Sequence, residues 1–74
     1  MEQTIGQKLV GLSFNPSGDA TVNKLKQLFA DVLDTLGNVV IPEDAELHGK
    51  LLETAVGAVI TAQMWTVKVA TFKE

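Results

Sequence analysis

A chain of 74 residues with a formal charge of −3 has room for one domain, and a chain this short buries a limited fraction of its surface. Cysteine is absent and His48 is the sole histidine, which excludes disulfides, zinc–thiolate sites and histidine-rich metal clusters as the staple that small folds usually need. All the basic residues are lysines on an acidic chain, which argues against long nucleic acid as a partner, whereas a few lysines suffice for one small phosphorylated ligand.

The first residues, Met1 to Thr4, are polar and lack the basic start of a secretory leader. No stretch approaches the roughly 20 apolar residues of a membrane span, so a cytoplasmic protein without a membrane partner is expected. Residues 1–18 read as an arm containing Gly6, Gly11 and Gly18. Val10, Leu12 and Phe14 alternate with Gly11 and Ser13, which predicts an extended segment that packs one face. Asn15-Pro16-Ser17-Gly18-Asp19 is made of turn and cap formers and ends the arm.

Residues 19–74 read as a helical-hairpin domain. The first helix is predicted over Ala20 to Leu36, with Val22, Leu25, Phe29, Val32 and Leu36 as its apolar stripe, widened by Leu28 and Leu33. Lys24, Lys26, Gln27, Asp31 and Asp34 fall on its other faces. Asp19 is the expected N-cap, and Gly37 the expected stop in a left-handed conformation. After a short connection, Pro42 suits the first turn of a second helix running to Thr71, with Glu43, Asp44 and Glu46 at its positive end. A connection this short favours an antiparallel pair.

The second helix is apolar on too many sides for one neighbour. Leu47, Leu51, Ala58, Ala62, Trp65 and Val69 form one stripe, which the first helix is expected to cover; Leu52, Val56, Val59, Ile60 and Val67 form much of another. Ala55, Gly57, Ala58 and Ala62 are small enough for another helix to approach closely. At 1.5 Å per residue the second helix spans about 45 Å against about 25 Å for the first, and the overhang also asks for a second copy of the chain. An all-α protein assembling as a homo-oligomer is therefore expected. On propensity alone, Trp65 to Phe72 alternates well enough to be a strand pairing with Val10 to Phe14, and that alternative stays open at this level.

No catalytic constellation is visible. His48 sits between Glu46, Gly49 and Lys50, Asp31 and Asp34 read as a solvated helix face, and no phosphate-binding loop ends in Gly-Lys-Ser or Gly-Lys-Thr, so a non-enzymatic protein without a cofactor is expected. A binding site is more plausible where the arm meets the first helix. Phe14 could stack on a base, Asn15 could pair with an adenine edge, and Pro16 and Ser17 bring the chain to a helix N-terminus, with Lys24 and Lys26 one to two turns on. The competing reading, the stronger on the residues alone, is a capped helix end with Phe14 as a hydrophobic plug; Asp19 also repels an anion there. Lys68 by itself is a favourable charge near a helix C-terminus.

In Phe14-Asn15-Pro16-Ser17-Gly18, Leu25-Lys26 and Met64-Trp65-Thr66-Val67-Lys68, from about Gly6 onward, the sequence resembles the small helical-hairpin phage proteins that counter CBASS and Thoeris immunity. These are called sponges. The resemblance implies a hairpin that assembles, often as a hexamer, in the cytoplasm of an infected bacterium. It implies sequestration of cyclic dinucleotides, cyclic trinucleotides or cyclic ADP-ribose isomers without cleavage. It maps Phe14 and Lys26 to the dinucleotide-type site and Lys68, in the Met64-Trp65 segment, to the trinucleotide. Some relatives carry arginine where Lys68 stands; lysine keeps the charge and loses the bidentate fork. The alternative function is a ligand-free structural oligomer.

Overall fold

The computed structural model describes residues 2–15 and 18–72. It is all-helical among them: α1 is Ile5–Leu9, α2 is Ala20–Gly37 and α3 is Ala45–Thr71.

The arm is not extended. Thr4 and Gln7 form a reciprocal capping box, in which the Gln7 N–H donates to Thr4 Oγ1 (3.1 Å) and the Thr4 N–H donates to Gln7 Oε1 (2.9 Å). Two first-turn donors are thereby satisfied by residues three apart, which is enough to start α1. Gly11 ends it. At φ +64° it lets the Leu12 N–H reach Gln7 O and its own N–H reach Lys8 O, the paired bonds of a Schellman close. The alternation of Val10, Leu12 and Phe14 thus belongs to a helix end and a turn, not to a strand.

Helix α1 lies against α2 at very close range. Gly6 is buried, and a Cβ there would sit 2.3 Å from the carbonyl oxygen of Ala30. The Gly6 N–H donates to Asp34 Oδ1 at 2.7 Å, and Gln7 Nε2 donates to Gln27 Oε1 at 3.1 Å. Asp34 is therefore half-buried and committed, not part of a solvated face.

The N-cap of α2 is Asp19, whose Oδ1 accepts from the N–H groups of Thr21 (2.8 Å) and Val22 (3.2 Å). Its C-terminus departs from expectation. Gly37 is the last helical residue and has no left-handed φ; the helix is closed by Asn38, whose Nδ2 donates to Asp34 O and whose N–H donates to Thr35 O. The side-chain amide removes the need for a glycine turn. The buried row of α2 is Val22, Lys26, Ala30 and Leu33, whereas Leu28 and Val32 of the predicted stripe are exposed.

Helix α3 starts at Ala45, later than Pro42, because the Asp44 carboxylate caps it by accepting from the Leu47 N–H at 3.0 Å. It continues through the segment with strand propensity. Thr66 and Thr71 place their hydroxyls on the carbonyls of Ala62 and Val67, which satisfies these β-branched residues inside a helix. Its packing face is also the reverse of the one expected. Val56, Val59 and Ile60 pack against the core of Val10, Ala30 and Leu33, with Leu12 and Phe29 beside them. The stripe of Leu47, Leu51, Ala58, Ala62, Trp65 and Val69 is exposed. The core is thin: no large side chain among the described residues is fully buried, and Trp65, Met64 and Val69 are 63–78% exposed.

Candidate functional site

The junction of arm and α2 is built around one lysine. Lys26 is 6% exposed, although its expected place was a polar face. It falls four residues from both Val22 and Ala30 on the buried row, so its stem is part of the packing between α2 and the residues that follow α1. A buried ammonium is costly unless its hydrogens are bonded. Here Nζ donates to the carbonyl oxygens of Gly11 (3.0 Å) and Phe14 (2.5 Å). It also stands 5.6 Å from the centre of the Phe14 ring, within range of a cation–π attraction. No carboxylate among the described residues lies within ion-pair distance of it; the ion pair found there is the exposed Lys50–Glu46 contact on α3.

Phe14 is 72% exposed, so it is not a hydrophobic plug. The turn that carries it is closed by its own N–H on Gly11 O at 2.9 Å. Asn15 is turned to the backbone. Its Nδ2 donates to Asp19 O at 2.9 Å and its Oδ1 accepts from the Asp19 N–H at 3.3 Å, so its amide holds the entry to α2. Pro16 and Ser17 lie outside the described residues. Lys24 is exposed on α2.

On α3, Met64, Trp65 and Lys68 are all exposed and fall within one and a half turns. Lys68 stands in the last turn, where its charge suits the helix C-terminus. The structure thus brings Phe14 and Lys26 together at the arm, and presents Met64, Trp65 and Lys68 as a separate exposed stretch of α3.

Two hollows lie elsewhere. A cleft of about 350 Å³ is lined by Thr4, Ile5, Leu33, Asp34, Gly37 and Asn38. A smaller one of about 180 Å³, almost wholly apolar, is lined by Leu36, Val39, His48, Leu51, Leu52 and Ala55. His48 is therefore half-buried beside leucines instead of solvated. Neither hollow includes a residue expected from the sequence to bind ligand. No group of metal-ligating side chains is found among the described residues, and no helix there is long and apolar enough to cross a membrane.

No family model, curated protein or solved structure matches the chain.

Proposed function

We propose that this protein is a phage anti-defence sponge that binds and holds cyclic nucleotide messengers in the bacterial cytoplasm without cleaving them. The observation that carries this reading is an exposed aromatic ring, Phe14, backed at 5.6 Å by the positive charge of Lys26, which no carboxylate of the described residues neutralises. A flat ring beside a positive potential suits a ligand made of bases and phosphates. Stacking on one aromatic is worth about 1–3 kcal/mol per base.

The second part of the proposal is the assembly. Helices α2 and α3 form an antiparallel hairpin, and copies associate through the stripe of Leu47, Leu51, Ala58, Ala62, Trp65 and Val69 to give a symmetric homo-oligomer, hexameric by resemblance. The thin core supports this. Ordering a residue costs about 1–2 kcal/mol of backbone entropy, and burial of a few small side chains offsets little of it. An exposed apolar stripe along one helix is the kind of surface that subunit contact removes from water. In such an assembly Met64, Trp65 and Lys68 of neighbouring copies come together as a second pocket.

The test is calorimetry against cyclic dinucleotides, cyclic trinucleotides and cyclic ADP-ribose isomers. Submicromolar binding of at least one is expected, and silence across the panel would sink the reading. A ligand-free structural oligomer is the second reading. It is favoured by the commitment of Asn15 and Lys26 to backbone partners, and it predicts that none of these compounds raises the melting temperature.

A further inference from the structure

Lys26 is the group in this molecule whose placement is hardest to explain as packing alone. An alanine or leucine would fill its buried row at no electrostatic cost. Instead an ammonium is taken out of water and set on two carbonyl oxygens of one turn. Those carbonyls belong to Gly11 and Phe14, the first and last residues of the turn that the Phe14 N–H closes on Gly11 O. Both ends of the turn are thus bound to one point on α2. The near end of the turn is already held by the Schellman bonds of α1 and by the packing of Leu12, so the lysine adds most at Phe14, the far end.

We propose that Lys26 is a positioning residue: its ammonium clamps the Gly11–Phe14 turn to α2 and so holds the Phe14 ring outward as a preformed stacking surface. The geometry accounts for two of its three N–H groups through the carbonyls, and the ring centre lies 5.6 Å from the ammonium. The third N–H does not take part in the clamp, so holding the turn does not depend on what that hydrogen meets. The benefit to binding is preorganisation, since an aromatic already fixed loses less freedom when a base stacks on it. This role deepens the proposed sequestration site and rests on that reading for its ligand; the clamp itself does not.

Nuclear magnetic resonance on the full chain tests the clamp without ligand. In the wild-type protein the Lys26 Hε protons should be shifted upfield by the Phe14 ring and return to ordinary values in Phe14→Leu; unshifted protons would overturn the proposal. In Lys26→Met, which keeps an apolar stem, exchange of the Phe14 amide should rise about tenfold or more while amides in the middle of α2 and α3 are unchanged. An unchanged Phe14 amide in a folded Lys26→Met variant would overturn it. The wild-type ring-current measurement stands even if that variant does not fold. For the ligand-dependent half, the probe is a 3′,3′-linked cyclic dinucleotide. Lys26→Met should weaken binding in the wild-type background and have no further effect in Phe14→Ala. A further loss of affinity from Lys26→Met in the Phe14→Ala background would mark an action of the lysine that does not pass through the ring and would overturn this half. If the wild-type chain does not bind this probe, the dinucleotide site of the sequestration reading fails, while the two ligand-free measurements still decide the clamp.

Discussion

Replacing Gly6 with alanine puts a methyl group where α1 and α2 touch. The added Cβ meets the Ala30 carbonyl oxygen at 2.3 Å and the Asp34 carboxylate at 2.8 and 2.9 Å, whereas ordinary contact begins near 3.4 Å. The Ala30 oxygen is helix backbone and cannot swing aside, so α1 must retreat by about an ångström. That retreat stretches the 2.7 Å bond from the Gly6 N–H to Asp34, a hydrogen bond to a charged acceptor worth about 1.5–3 kcal/mol. Overpacking adds about 1–3 kcal/mol, and the better helix propensity of alanine returns up to about 1 kcal/mol. The net expectation is a loss of about 1.5–6 kcal/mol, large against the few kcal/mol available to a short domain. Urea unfolding followed by far-ultraviolet circular dichroism and Trp65 fluorescence measures it. Gly49→Ala is the control, because nothing lies within 4 Å of a Cβ there and the helix should gain about 0.5–1 kcal/mol. If Gly6→Ala proves as stable as Gly49→Ala, the close approach of α1 to α2 is wrong.

Asp19→Ala removes the acceptor for two N–H groups of α2 and should cost about 1 kcal/mol, read as a lower urea midpoint with an unchanged slope. Phe14→Ala should leave the melting temperature nearly unchanged, since the ring is exposed, and weaken cyclic dinucleotide binding by about 1–3 kcal/mol in calorimetry. Trp65→Ala should lower both the mass found by light scattering and the ligand affinity; a variant that keeps its mass would remove Trp65 from the subunit interface. Gly57→Leu adds bulk where the chain itself has nothing within 4 Å, so far-ultraviolet dichroism should be retained while light scattering shows dissociation if the small face of α3 meets a second copy.

The N-cap of α2 is legible in the sequence because it is local. Asp19 precedes the apolar period of α2 by one residue, and its carboxylate has no other partner among the described residues. The start of α3 was blurred because Pro42, Glu43 and Asp44 all carry start signals in a row; the carboxylate that reaches an N–H three residues on decides among them. The capping box of Thr4 and Gln7 was present in the sequence and overlooked in favour of the Val10–Phe14 alternation. The end of α2 depends on an asparagine amide folding back four residues, which competes with the glycine beside it.

Tertiary choices were less accessible. Which stripe of α3 faces α2 is not decided by apolarity when both stripes are apolar. Gly6 gains its meaning from Asp34, 28 residues away. Lys26 was named as a ligand group from its charge, but its burial was signalled by its spacing of four from Val22 and Ala30, a period that a lysine tends to hide from the eye. The structure sets Lys26 Nζ 5.6 Å from the Phe14 ring, and the direction of that lysine is the part that composition cannot give.

Retention and release of an intact messenger tests the central claim most directly. The protein is incubated with each cyclic di- and trinucleotide and cyclic ADP-ribose isomer, separated from free compound by ultrafiltration, heated, and the supernatant analysed by mass spectrometry. At least one compound should be retained by the native protein and recovered uncleaved after heating. Retention of none would contradict sequestration, and recovery of a cleaved product would make the protein an enzyme.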